Sequence, residues 1–154
     1  MLDLACGSGR HARYLAGLHH PVEALDIDIA HLVELAALSG VTMRRADVEQ
    51  GPWPYGEAEF AGIVVTNYLH RPLFPDLLRS LAPGGVLIYE TFALGNERYG
   101  RPSNPNFLLL PGELLEAVRG KASVVGYEDV LVTEPNPAAV QRICAVRAAS
   151  GGFR

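Results

Sequence analysis

The sequence predicts an α/β fold: a Rossmann-like three-layer sandwich around a mostly parallel seven-stranded sheet with an antiparallel last strand. Three observations predict it. The apolar period switches repeatedly between strand-like and helix-like along the chain, the pattern of strand–helix units with helices on both faces of a parallel sheet. A small-residue turn, Ala5-Cys6-Gly7-Ser8-Gly9, joins a short apolar run to a helical pattern, as at the ligand-binding edge of open α/β sheets. The chain then closes on two strand-like runs joined by Glu134-Pro135-Asn136-Pro137, which reads as a hairpin and so requires one antiparallel strand.

Each element follows from its residues. Met1–Leu4 is the short first strand. In 11–18, Ala12, Tyr14, Leu15 and Leu18 recur at helical spacing. Val22–Asp26 is a strand ending in an acid, and 29–38 is a helical run that Gly40 stops. Val41–Arg45 is a third strand. Residues 50–59 form a loop in which Pro52 and Pro54 flank Trp53, and Phe60–Thr66 is a buried strand. Residues 73–81 form a helix with Pro72 near its start. Pro83-Gly84-Gly85 turns into a strand over 86–92. Residues 93–110 are rich in Gly, Pro and Asn, and a loop of that length inside a compact fold is usually functional or mobile. A short helix over 111–118 and strands over 123–133 and 138–147 complete the chain.

The chain has 154 residues, 49% of them hydrophobic and 19% charged. That is ordinary globular composition, enough for one domain spanning 1–154. The net charge is −4, Lys121 is the single lysine, and Arg44-Arg45 is the densest basic spot. A duplex-binding surface needs a basic stripe, so a small-molecule partner is expected rather than nucleic acid. The two cysteines, Cys6 and Cys144, form no metal or redox spacing. With no run near the ~18 apolar residues of a membrane span and no signal-peptide shape, a cytoplasmic protein is expected. His11, His19, His20 and His31 lack a completing carboxylate or cysteine spacing, so no metal site is expected.

Four strand ends carry polar residues: Asp3, Asp26, Asp47 and Asn67. A parallel sheet puts those ends at one edge, where ligands bind. Glycines let a ligand approach the backbone at 5–9, and the helix that follows offers unpaired N–H groups. Asp26 lies about 20 residues beyond the glycine turn, the distance at which a carboxylate meets ribose hydroxyls. Asp28, on the same strand face, caps the next helix. Asp47 suits an exocyclic adenine amine.

Together these motifs carry a resemblance. LDLACGSG, EALDID, RADVEQ and LRSLAPGGVLIYETF resemble the successive motifs of class I S-adenosylmethionine-dependent methyltransferases, and the closing hairpin resembles that family's antiparallel seventh strand inserted beside the fifth. Within the class the chain looks closest to small bacterial tellurite-resistance-like enzymes. The resemblance implies S-adenosyl-L-methionine as cofactor. Asp3, Ala5, Gly7 and Gly9 would lie under its methionine part. Asp26, with Ile27 beside it, would bind the ribose hydroxyls, and Asp47 and the Val48 backbone would read adenine. Asn67 would hold the amino group through its carbonyl, with Tyr68 and Leu69 packing nearby. Asn67-Tyr68-Leu69-His70 is not the Asn/Asp-Pro-Pro-Tyr/Phe signature of adenine- or cytosine-amine methylation. Family members usually carry a helical segment before the first strand, whereas this sequence starts inside that strand; a misassigned start, a truncation and a protein that works without its lid are the three readings.

The methyl donor is already reactive, so holding an acceptor in line carries much of the rate. A base depends on the acceptor; His70, an imidazole that follows the fourth strand, and Tyr68 are the catalytic candidates. Arg98, Tyr99 and Arg101 are candidates for contact with an anionic substrate. Two other readings stay open. Gly7-Ser8-Gly9-Arg10-His11-Ala12 also matches the Gly-x-Gly-x-x-Gly/Ala of nicotinamide-dependent oxidoreductases. A lidless, non-catalytic binding module, or a homodimer covering the face beside the first helix, is the other.

Overall fold

The computed structural model describes residues 1–149; residues 150–154 of the expected domain lie outside the described residues. β1 (Leu2–Leu4), β2 (Val22–Asp26), β3 (Val41–Arg45), β4 (Phe60–Thr66), β5 (Leu81–Phe92), β6 (Ala122–Val132) and β7 (Ala138–Arg147) form one sheet in the order β3-β2-β1-β4-β5-β7-β6. β1 to β5 pair in parallel, and β7 runs antiparallel to both β5 and β6. The mostly parallel sheet expected from the sequence is therefore present. Its antiparallel strand is inserted between β5 and β6.

β1 has only three residues, yet it is central. Leu2 and Leu4 pair with Glu23 and Leu25 on one side and with Ile63 and Val65 on the other. All three of its residues are buried, as a strand covered on both faces requires. The larger core lies on one face, where α3 (Phe74–Ser80) and α4 (Glu113–Val118) bring Leu77, Leu78, Leu114 and Val118 onto Leu2, Leu4, Val65, Leu87 and Ile143. The opposite face holds a smaller cluster, in which Ala12 of α1 (Arg10–Gly17) and Leu35 of α2 (Val33–Ala36) cover Val22 and Ala24. This second layer stops at β4. Beyond it Ile88 is 45% exposed and the Glu90, Arg142 and Glu128 side chains form an ion-paired row on the sheet surface.

Four local expectations need correction. The run 29–38 is a 3₁₀ turn (Ala30–Leu32) followed by one α-helical turn, in which Leu32 and Leu35 are fully buried while Ile29 and Leu38 pack only partly against the same cluster. The helix over 73–81 instead begins as a 3₁₀ turn at Arg71 and ends at Ser80. β5 begins at Leu81 rather than Val86: Leu81 pairs with Phe60, and the Pro83-Gly84-Gly85 turn is absorbed as a register shift before Gly62 meets Val86. The loop over 93–110 contains two 3₁₀ turns and is tied down. The buried Asn96 amide donates to the Pro102 carbonyl and accepts from Ala139, while buried Gln141 donates to the Leu110 carbonyl at 2.6 Å.

Gly9 shows how tightly α1 meets its neighbour. Its φ is +79°, and a Cβ there would overlap Leu35 Cδ1. Gly9→Ala is expected to lower stability by about 1–3 kcal/mol, from the left-handed backbone and overpacking together. Urea unfolding measures it. A loss no larger than that of Gly7→Ala, where nothing lies within 4 Å of the added carbon, would mean that the Leu35 contact carries no cost.

Candidate functional site

Parallel pairing aligns the strand ends. Leu4 stands opposite both Leu25 and Val65, and Asp26 stands opposite Arg45. The chain leaving β1, β2, β3 and β4 therefore emerges at one edge, around a cavity of about 480 Å³. Ala5, Leu25, Asp26, Ile27, Ala46, Asp47, Val48, Glu49, Gln50, Asn67 and Tyr68 line it. The size lies within the ordinary range for small-ligand sites.

Two backbone positions turn sharply there. Ala5 has φ 51° and Asn67 has φ 53°, a left-handed conformation that a residue with a side chain holds only when its surroundings impose it. At Asn67 the constraints are visible: its N–H donates to the Glu90 carbonyl, and the buried Tyr89 hydroxyl donates to the Tyr68 carbonyl at 2.6 Å.

The acids also shape the site. Asp26 accepts the Gly7 N–H at 2.9 Å on one oxygen and the Asp28 N–H at 3.1 Å on the other, which ties the glycine turn to the end of β2. Asp28 accepts the Ala30 N–H and opens the following turn. Asp47 accepts the N–H groups of Glu49 and Gln50 on a single oxygen. Asp3 lies below the cavity, 1% exposed, and accepts the Ala12 N–H of α1. Glu49 accepts the Tyr68 hydroxyl at 2.7 Å. The lining thus contains three carboxylates and no lysine or arginine.

Several residues singled out in the sequence do not line this cavity, among them His70, Arg98, Tyr99 and Arg101. Gly7 and Gly9 form the turn beside it, and Leu69 is buried in the core beneath. His70 starts the 3₁₀ turn before α3 and is not among the lining residues. Burial, and then the Glu49 bond, push the Tyr68 ionisation up, so its hydroxyl remains a donor. Burial pushes the Cys6 thiol up to about 12, which leaves a small buried hydrophobe rather than a nucleophile. Among the described residues no group of His, Cys, Asp and Glu is arranged for a metal; the side chain of His31 lies outside that description. No helix among them is long and apolar enough to cross a membrane.

Sequence reasoning missed Glu49 and Gln50 as lining residues and Arg71 as an anchor. Arg71 donates to the Glu113 carboxylate and, at 2.8 Å each, to the Asn106 and Leu108 carbonyls, so it holds the segment after β5 against the start of α3. Burial pushes Glu113 up, but the Arg71 bond and the Leu110 N–H outweigh it and hold the carboxyl below its ordinary range. A lone arginine after a strand gives no signal in a sequence; its three partners lie at least 35 residues away.

Residues 1–85, more than half the chain, match the family model described as a methyltransferase domain. A curated relative, trans-aconitate 2-methyltransferase from Methylobacterium nodulans, is 34% identical over 96 residues; the match covers 58% of this chain and 37% of that protein's length. An S-adenosylmethionine-dependent methyltransferase from Mesorhizobium loti superposes with TM-score 0.73 at 19% identity, covering 95% of this chain and 89% of that one. The [4+2]-cyclase SpnF superposes with TM-score 0.75 at 16% identity, covering 97% and 74%. At these identities the solved structures establish the fold.

Burial pushes the Asp3 carboxyl up to about 6, against the Ala12 hydrogen bond that pulls it down. The folded chain therefore keeps this proton to higher pH than the unfolded chain. The associated stability is fully present below the unfolded carboxyl's range and is lost as pH rises through about 6. Relative to Asp3→Asn, the wild type is expected to lose on the order of 2–3 kcal/mol between about pH 4 and pH 7. Urea unfolding over that range measures it, and parallel pH curves for the two proteins would contradict a titrating Asp3.

Proposed function

The chain belongs to the methyltransferase-domain family, and from that premise we propose that it transfers the methyl group of S-adenosylmethionine to a small-molecule acceptor. The observation that carries the reading is the charge of the cavity. Asp26, Asp47 and Glu49 line it without a lysine or arginine. Such a site repels the pyrophosphate of a nicotinamide dinucleotide and attracts a cationic sulfonium and ammonium. The dinucleotide alternative is disfavoured on that ground.

The residues present fit the cofactor. The chemistry supplied on binding is an electrophilic methyl group on a sulfonium. Asp26 keeps lone pairs beyond the two that Gly7 and Asp28 use, and these accept the ribose hydroxyls beside Ile27. Asp47 is held by its own turn, which leaves its second oxygen for the adenine amine and the Val48 N–H for the ring. The left-handed turns at Ala5 and Asn67 present backbone carbonyls for the ammonium, and Asp3, Gly7 and Gly9 hold the turn under the methionine. Leu69 supports Asn67 and Tyr68 from the core.

For the acceptor we favour a small carboxylic acid. The curated relative is named for trans-aconitate, and Arg98 and Arg101 lie in the segment that follows β5. A carboxylate is already ionised near neutral pH, so the acceptor oxygen needs no base. For an acceptor that must lose a proton, His70 is the candidate base. The chain spans 37% of the length of that relative, and the acceptor side of the site is part of the proposal.

Isothermal titration of the chain with S-adenosylhomocysteine and, separately, with NADH tests the reading. Micromolar binding of the first ligand alone is expected, with at least a tenfold loss in Asp26→Ala, since both the ribose contact and the anchor of Gly7 are removed. Binding of NADH alone would sink it.

A further inference from the structure

We propose that Glu49 is a positioning residue: by accepting the Tyr68 hydroxyl it straps the nucleoside end of the cavity and governs how fast ligand is exchanged. The inference rests on the cofactor reading above. Its basis is topological. Glu49 follows β3 and Tyr68 follows β4, and β2 and β1 lie between those strands in the sheet. At ~4.8 Å per strand the two segments are separated by roughly 14 Å at the sheet edge. Yet Tyr68 Oη lies 2.7 Å from Glu49 Oε1, and both residues line the cavity. The bond therefore passes across the cavity floor, which is made by Ala5, Leu25 and Asp26 at the ends of β1 and β2.

The two ends of the strap differ. Tyr68 is fixed from behind, through the Tyr89 hydroxyl on its carbonyl and the left-handed turn at Asn67. Glu49 sits on an exposed turn whose backbone is held by Asp47. Its side chain is therefore the part that swings away. An exposed hydrogen bond to a charged acceptor is weak enough to open often and strong enough to retard exchange several-fold.

Charge and strap are separable by chemistry. Glu49→Gln removes the charge and keeps an oxygen that accepts from Tyr68. Tyr68→Phe removes the bond and keeps the charge. Glu49→Ala removes both. Association and dissociation of S-adenosylhomocysteine are read by surface plasmon resonance on the whole chain, with thermal melting of each variant beside it. Glu49→Ala, Tyr68→Phe and the double variant are expected to release ligand about fivefold faster than wild type and to equal one another. Glu49→Gln, which keeps the acceptor oxygen but not the charge, is expected to release ligand at least about twofold more slowly than Glu49→Ala. If Tyr68→Phe fails to fold, the exposed Glu49 pair still decides the matter. Wild-type rates in Glu49→Ala, or equal acceleration in Glu49→Gln and Glu49→Ala, would overturn the strap while leaving the cofactor reading standing. A folded wild type that binds no S-adenosylhomocysteine would overturn both.

Discussion

The structure depends on the double pairing of its shortest strand. β1 has three residues, and its ladder is shared with β2 on one side and β4 on the other. In a parallel sheet with this order, the register of β1 fixes where the neighbouring strands end. Leu4 opposite Leu25 and Val65 brings Ala5, Asp26 and the Thr66–Asn67 step to one level. The cavity is a consequence of that level. Because Leu2, Asp3 and Leu4 are all buried, the register is held by packing on both faces as well as by the ladder, and a one-residue slip would drive Asp3 into the larger core.

Around this frame, polar groups do mechanical work before they do any chemistry. Asp3 ties β1 to α1, Asp26 ties the glycine turn to β2, and Asp47 closes its own turn. Each carboxylate thereby satisfies N–H groups that loops would otherwise leave unpaired. Gathering acids at one edge has an electrostatic consequence, since no cation enters the lining to balance them. Burial of Asp3 beside Asp26 is tolerated by keeping its proton to about pH 6, the usual response of a desolvated carboxyl with a like charge nearby. On the other side of the site, Arg71, Asn96 and Gln141 order the segment after β5 through carbonyls, beside the apolar anchors Ala93 and Leu109 in the core. Its Gly, Pro and Asn content therefore coexists with a defined path.

The same frame carries different chemistries. A [4+2]-cyclase and a methyltransferase superpose on this chain almost equally well, so the sheet and its cavity do not by themselves select a reaction.

The sequence by itself determined the order of elements and the level at which the acids lie. Period switching, Gly40, the glycine turn and the Pro-containing hairpin are local signals, and local geometry decides them. Asp26 and Asp47 were legible because each stands at the end of a strand-like run, and strand ends share an edge in any parallel sheet. Only the tertiary structure decided how long each element is and which side chains meet. The run 29–38 has helical spacing throughout, yet a single α-helical turn forms after the 3₁₀ turn, with Leu32 and Leu35 its fully buried side chains. Glu49 and Tyr68 lie 19 residues apart on segments separated by two strands, and Arg71 finds its partners 35 and more residues onward. Such pairings follow from register and twist summed over the whole sheet, which no local pattern encodes.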